Sequence, residues 1–257
     1  MTAAVTQPAY AVLKAFEILA LFRDAIYLTP SDCALRLGMP RTTAHRMLVT
    51  LRHAEMLDVT SDGRYSMSMS MFELGSWTPL ARKLNEVATS HLLLLRDMTG
   101  LVVHLAVRDR SSVVYLQKAH RGRASIPTNV GARGALHATG VGKALLAAMP
   151  DADARALFEQ TQQSFTQHTH RTWESLAADL DTIRSTGYSF DLEERALGVC
   201  CLATSVRDGE GKALAAISIA APADRYRDTL KDFRVPLSRT AVEIARDLTR
   251  RRFNVAS

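Results

Sequence analysis

The segment 41–53, RTTAHRMLVTLRH, combines arginine, threonine and histidine side chains, which can donate hydrogen bonds to phosphates and to base edges. At about 100° per helical residue, Ala44, Leu48 and Leu51 share one face, while Thr42 and Arg46 point the opposite way. No carboxylate occurs from residue 33 through 54, so a helix here would offer the major groove a basic, polar surface. The residues predicted to contact DNA are Arg41, Thr42, Thr43, His45, Arg46 and Arg52, together with Arg64 from a following hairpin. The alternative is a plain packing unit, because surface helices often carry arginines.

A second segment, Gly140-Val141-Gly142-Lys143, invites comparison with a phosphate-binding loop. The motif G-x-x-x-x-G-K-[ST] would need glycine at His137 and serine or threonine at Ala144. The spacing therefore argues against a bound nucleotide, and no cofactor is expected.

The pair His168 and His170, combined with Cys200 and Cys201, could be drawn as a zinc site. These residues lack the C-x-x-C or H-x-x-x-H spacing that fixes zinc geometry locally. The alternative is that the histidine pair belongs to an exposed loop, and no metal site is predicted.

A hydrolase would need a nucleophile, a base and an orienting group, and Ser218, His137 and Asp191 could be combined for those roles. No G-x-S-x-G elbow supports the serine, and a DNA-reading motif has no place in such an enzyme. No catalytic residue is therefore predicted.

The elements that would position the segment 41–53 are marked by local signals. Thr29 and Asp32 form a T-x-x-D capping box, and Pro30 suits the first turn of a helix. Gly38 fits a left-handed helix end, and Pro40 restarts the chain at the next helix. Two helices joined by so short a turn form the motif known as helix-turn-helix.

A hairpin is predicted after the second helix, because Asp-Gly lies in the turn between the β-prone runs 57–59 and 64–66. A first helix over about 10–22 should pack behind the motif, and the alternating methionines of 66–75 suggest an edge strand. These elements predict a winged helix-turn-helix domain over residues 9–75.

After residue 75 the pattern of apolar residues changes. A linker helix is predicted over 76–98, with an apolar stripe of Leu80, Leu84, Val87 and Leu94. From 99 to 257, strand-like runs mix with helical ones, which indicates an α+β domain on a largely antiparallel sheet. The predicted strands are 101–107, 112–118, 188–191, 200–206 and 213–221, and the predicted helices follow the glycine-rich loop at 130 and span 151–160, 173–186 and 228–252.

Bulk properties agree with a nucleic-acid partner without requiring one. The chain has 257 residues, 47% of them hydrophobic, and a net charge of +6. Its three cysteines fit a reducing cytoplasm, and no apolar run is long enough to suggest a membrane span.

Five segments together resemble the IclR family of bacterial transcriptional regulators, from about residue 10 to 246 and in the family's order. They are RTTAHRMLVTL, DGRYSM, GARGALHATGVGKALLA, STGYSFDLEERALGVCCLA and AAISIAAPADR. The resemblance implies a winged helix, a linker helix and a GAF-like effector-binding domain. It also implies a dimer or tetramer on palindromic operator DNA and a small organic acid as effector.

The positions that match the family's ligand-contacting residues are Gly131, Ala132, Asp191, Val199, Cys201 and Ser218. In the family, backbone N–H groups at the first two positions can receive a carboxylate. This chain has Gly134 and Ala135 where a bulkier apolar residue and a proline are usual, and Ala220 where some members have a second serine. These departures suggest a larger or less polar ligand, such as an aromatic acid.

The residues themselves support a cavity more weakly. Ala216, Ser218 and Ala220 fall on one face of the predicted strand 213–221, and Ile217 and Ile219 fall on the other. The face of small residues leaves room for a ligand, although tight packing is the ordinary explanation of small residues in a strand. A DNA-binding protein whose second domain serves only assembly therefore stays open as the alternative.

Overall fold

The computed structural model describes residues 8–122 and 126–253. The chain divides into two compact units, and the boundary between them in the sequence lies between Pro79 and Leu80. The first unit has buried apolar side chains from each of its first three helices and from its hairpin, including Ile18, Leu48 and Leu57. It confirms the predicted winged helix-turn-helix. Its elements are α1 (Tyr10–Leu21), α2 (Pro30–Leu37), α3 (Arg41–His53), β1 (Leu57–Val59), β2 (Tyr65–Met67) and α4 (Met69–Ser76).

Local contacts hold α2 at both ends. The backbone N–H of Thr29 donates to Asp32 Oδ2 at 2.8 Å, and the Asp32 N–H donates back to the Thr29 hydroxyl at 3.2 Å. Gly38 ends the helix in the left-handed region, with φ of 61°. The turn is therefore set by its own residues, and α3 follows it directly.

The predicted edge strand over 66–75 is wrong, because most of this segment forms α4. Strand β2 pairs with only three residues of β1, and the last pair is Leu57 with Met67. The pairing ends one residue later, where the Ser68 N–H donates to the Met56 carbonyl at 3.2 Å. The chain turns at Ser68, whose hydroxyl donates to the Glu55 carbonyl at 2.5 Å, and then becomes helical.

The second unit is an α+β domain on an antiparallel sheet, as predicted. Its six strands pair in the order β5-β4-β3-β8-β7-β6, with every described pair antiparallel. The short strand β5 was not predicted. The elements are α5 (Pro79–Thr99), β3 (Val102–Asp109), β4 (Ser112–Ala119), β5 (Arg133–Ala135), α6 (Gly140–Leu146), α7 (Asp151–Thr161), α8 (Trp173–Thr186), β6 (Ser189–Leu192), β7 (Val199–Arg207), β8 (Ala213–Pro222), α9 (Ala223–Tyr226), a 3₁₀ turn (Leu230–Phe233) and α10 (Arg234–Phe253).

The two faces of this sheet pack against different helices. Ile217 and Ile219 of β8 lie in the core shared with α5 and α10, while Ala216 lies in the core shared with α6, α7 and α8. Ser218 and Ala220 are on the same face as Ala216, so the predicted alternation is confirmed. Small side chains on this face leave a space between the sheet and α6.

Two predicted helices differ in detail from the structure. In α5, Leu94 is exposed and Leu95 is buried, because Leu95 falls about 20° from Leu84 around the helix and Leu94 about 80° away. The last helix begins at Arg234 rather than 228, since an earlier start would put Pro236 in the helix interior, where it breaks a hydrogen bond. None of the described helices is long and apolar enough to cross a bilayer.

Candidate functional sites

The outer face of α3 is open to solvent. Ala44 and Leu48 are fully buried beneath it, so the helix is anchored by its apolar side. Within the described residues, no carboxylate forms an ion pair with an α3 arginine. The side chains available for hydrogen bonding to DNA are those of Arg41, Thr42, His45, Arg46 and Arg52, which are exposed, and that of Thr43, which is half-buried.

The wing places Arg64 beside an acidic residue. Arg64 Nε donates to Asp62 Oδ2 at 2.7 Å, and the guanidinium lies over the Tyr27 ring, 4.7 Å from its centroid. The Thr60 hydroxyl and Arg64 together lower the pKa of Asp62, so this carboxylate stays charged. Exposed ion pairs contribute little to stability, so a phosphate could replace Asp62 as the partner of Arg64.

In the second unit, a cavity of about 200 Å³ lies over the small-residue face of the sheet. Two rows of side chains cross the strands beneath it. In the first row, Asp191 is opposite Cys201, which is opposite Ala220. In the second row, Ser218 is opposite His104. All five residues line the cavity, as do Ala132 and Val199, so the structure brings together five of the six predicted effector residues, all but Gly131.

Asp191 is the buried acidic group of the cavity, at 3% exposure. Its Oδ1 accepts the backbone N–H groups of Glu194 at 2.8 Å and Arg195 at 3.4 Å. Burial, followed by the nearby Glu194 charge, raises the pKa of Asp191 to about 7. Near neutral pH this carboxyl can therefore donate a hydrogen bond when protonated and accept one when ionised.

Two aromatic residues that the sequence analysis missed, His104 and Tyr115, complete the polar wall. Their rings meet edge to face with centroids 5.2 Å apart, and His104 Nδ1 is 3.5 Å from the Ser218 hydroxyl. Burial, then the Lys118 charge, lowers the pKa of His104 to about 3, so the imidazole is neutral. His104 Nε2 is buried and makes no hydrogen bond to any described residue. Alternation in 101–107 puts His104 on one face, but its position opposite Ser218 depends on the strand order.

Two arginines line the cavity, and they differ in their interaction partners. Arg133 donates to the Asp109 carboxylate and, at 2.5 Å, to the Ser112 hydroxyl. Arg195, on the loop between β6 and β7, instead stacks on the Phe165 ring, 4.1 Å from its centroid. Arg195 was also missed, because no local signal links position 195 to position 165.

The glycine-rich loop that begins at residue 130 does not offer the backbone N–H groups that were expected to bind a carboxylate. Gly131 does not line the cavity, and its N–H donates to the Tyr115 carbonyl at 2.8 Å. The N–H of Ala132 donates to the Asn129 carbonyl at 3.1 Å, so both groups expected to receive a carboxylate are already bonded. Gly134 is required by packing, since a Cβ there would lie 2.8 Å from Val113 Cγ2; its lack of a side chain therefore creates little free space.

Lys143, considered above as part of a phosphate loop, is 1% exposed and lies in a buried ionic cluster. Its Nζ donates to Asp179 Oδ2 at 2.6 Å and to Glu194 Oε1 at 2.5 Å. Burial opposes the charge, but Glu194 and Asp179 outweigh it and raise the pKa of Lys143. His170 contacts the same Asp179 oxygen at 3.3 Å, so it belongs to this cluster and not to the zinc site drawn with the cysteines. The Lys143 ammonium therefore occupies the position between the Asp179 and Glu194 carboxylates that a metal cation would need.

The hydrolase combination is not assembled. His137 Nε2 is 2.8 Å from the Gln163 carbonyl, and its ring packs on Phe158 and Phe165. The imidazole next to Ser218 is that of His104, and no described carboxylate is hydrogen-bonded to it.

Comparison with known proteins identifies both units of the chain. Residues 11–59 match the model of the IclR helix-turn-helix domain, and residues 81–246 match that of the bacterial transcriptional regulator IclR C-terminal domain. The regulator XynR of Escherichia coli is 32% identical over 242 residues, covering 92% of this chain and 96% of the relative. BhcR of Paracoccus denitrificans is 35% identical over 241 residues, covering 92% and 85%.

The fold has solved counterparts as well. An IclR homolog from Microbacterium hydrocarbonoxydans, crystallised with 4-hydroxybenzoate, has a TM-score of 0.82 at 25% identity and covers 93% of this chain and 99% of that one. The matched segments include α3 and nearly all of the second unit. The chain therefore belongs to the IclR family of bacterial transcriptional regulators.

Proposed function

We propose that this regulator reads operator DNA through α3 and changes its DNA affinity when a small organic acid enters the cavity of the second unit. The observation that carries the first half is the exposed face of α3, which is cationic and polar and whose arginines form no ion pair with a described carboxylate. A surface of this kind has little use within the protein and fits the major groove.

The contacts with DNA fall into two classes. Arg41 and Arg52 lie at the two ends of α3, where they suit phosphates, and Arg46 lies at the centre of the exposed face, where it suits a base edge. Thr42 and His45 flank Arg46 on its N-terminal side. Arg64 of the wing would leave its ion pair with Asp62 and bind a DNA phosphate instead.

A second copy of the chain is the proposed partner in assembly. Large apolar side chains of the first unit, Tyr10, Phe16, Met69 and Phe72, are between 63% and 74% exposed. Large exposed apolar side chains of this kind are suited to a contact with another protein chain. A symmetric dimer would cover part of this surface and present two α3 helices to a palindromic operator.

The size of the cavity favours an effector with one aromatic ring. Its volume is about 200 Å³, and an apolar protein cavity of about 150 Å³ holds benzene. Ala220 and Val141 supply apolar lining, while Asp191 and Ser218 supply polar groups. The Microbacterium relative was crystallised with an acid of this size, 4-hydroxybenzoate.

The proposal is tested by fluorescence anisotropy with the promoter fragment upstream of the gene, at about 50 mM salt, where phosphate contacts are strong. The full-length protein should bind this fragment more tightly than unrelated DNA. One-ring acids should then shift that affinity by about 5- to 150-fold, the usual range of coupling between two sites. Binding without any acid response would leave a DNA-binding protein whose second unit serves assembly, and no preference for the fragment would refute the proposal.

A further inference from the structure

Arg195 carries a cavity-lining positive charge that no carboxylate neutralises in the part of the chain that the structure describes. The other arginine of the lining, Arg133, is paired with Asp109. Lys143 is buried between Asp179 and Glu194. The only described contact of the Arg195 guanidinium is the face of Phe165, which leaves its N–H groups able to form a bidentate pair with an incoming carboxylate.

The position of Arg195 is fixed by the chain around it. Its own N–H and that of Glu194 donate to Asp191, and the Glu194 carbonyl accepts the Thr169 hydroxyl at 2.6 Å. The same hydroxyl accepts the backbone N–H of Phe165 at 3.0 Å, so Thr169 holds both the segment that carries the ring and the segment that carries the arginine. An arginine held in this way loses less conformational freedom on binding than a free one.

Two other polar groups of the cavity, those of Asp191 and His104, are unsuited to an anion. Asp191 presents a carboxyl group, and the imidazole of His104 is neutral. Among the described residues of the lining, the Arg195 guanidinium is therefore the cation that has no carboxylate partner and can attract an anion.

We propose that Arg195 is the specificity-determining residue that receives the carboxylate of the effector, while the hydroxyl or carbonyl at the other end of the effector meets Asp191 and Ser218. The inference rests on the proposed function and deepens it, because it states which end of the ligand is charged and which side chain recognises the charge. Arg195 would thus select organic acids over uncharged molecules of the same shape.

The test is calorimetric titration of the full-length protein at pH 6 with two probes of equal shape, 4-hydroxybenzoate and 4-hydroxybenzamide. The wild-type protein should prefer the acid, and Arg195→Gln should weaken acid binding by about 10- to 100-fold while leaving amide binding unchanged. Arg195→Lys should restore part of the preference. Arg133→Gln is the matched control, since it removes a cavity-lining arginine that is already paired, and it should keep the preference for the acid.

The outcomes separate the two proposals. If Arg195→Gln keeps the wild-type ratio of acid to amide affinity, the role of Arg195 is refuted and the proposed function stands. If wild-type protein binds neither these probes nor benzoate, the proposed effector class fails, and the role of Arg195 fails with it. Because Arg195 is exposed on a loop, circular dichroism should show the variant folded in every case.

Discussion

Asp191→Asn should remove a pH dependence of stability from the second unit. The pKa of Asp191 is about 7 in the folded protein, against an ordinary value of 3.8. The folded state therefore holds this proton more tightly than the unfolded chain does, so the stability it contributes is complete below pH 3.8 and is lost as the pH rises to about 7. At about 1.4 kcal/mol per pKa unit, the whole window amounts to about 4 kcal/mol, of which about 2 kcal/mol falls between pH 5 and pH 7.

Asparagine keeps the Oδ1 acceptor for the two backbone N–H groups but has no proton to lose. The difference in unfolding free energy between the variant and the wild type should therefore change by about 3 kcal/mol in favour of the variant from pH 5 to pH 8. In a domain of this size that corresponds to about 6–12 °C in the unfolding midpoint. Other titrating groups are common to both proteins and cancel in the difference.

Urea unfolding followed by tryptophan fluorescence measures this difference. In a Trp77→Phe background, Trp173 of α8 alone reports on the unit that contains Asp191. Asp208→Asn is the matched control: Asp208 Oδ1 also accepts two backbone N–H groups of a turn, at 3.1 and 2.9 Å, but this residue is partly exposed. Its profile measures what the same exchange of carboxylate for amide does at a turn outside the cavity. A profile for Asp191→Asn parallel to that of the wild type would refute the assignment of a protonated, buried carboxyl.

Three further substitutions test other parts of the structure. Arg46→Ala should weaken DNA binding by about 1–3 kcal/mol if the side chain reads a base, as anisotropy with specific and unrelated DNA would show. Lys143→Met should destabilise the second unit by about 3–5 kcal/mol in urea unfolding, because it leaves the buried Glu194 and the half-buried Asp179 without their cation. Gly142→Ala should cost about 1–3 kcal/mol or more, since its Cβ would lie 2.3 Å from a backbone carbonyl oxygen.

Each of these variants has a control within the chain. Arg155→Ala removes an exposed arginine of α7 and should leave DNA affinity unchanged. Adding Glu194→Gln to Lys143→Met should recover part of the lost stability, and no recovery would argue against charge as the cause. Gly75→Ala, in open space near the end of α4, should be neutral or stabilise by up to about 1 kcal/mol. Equal effects at the two glycines would contradict the packing argument.

Most of the first unit could be predicted from the sequence, because its signals act between neighbours in the chain. The capping box of α2, the left-handed Gly38 and the Asp-Gly turn each depend on residues within four positions. The same local reasoning failed for 66–75, where the outcome depends on the length of the partner strand β1. It failed again at the start of α10, although Pro236 carried a usable signal.

The sequence by itself determined that α3 has an apolar side and a cationic, carboxylate-free side, and that β8 has one face of small residues. Both follow from the periods of helix and strand, which need no knowledge of the rest of the fold. Only the tertiary structure decided what those faces meet. His104 reaches Ser218 because β3 pairs with β8, and Lys143 finds Glu194 because the loop after β6 folds over α6. Contacts of this kind join residues 51 to 114 positions apart, and no spacing rule in a single chain specifies them.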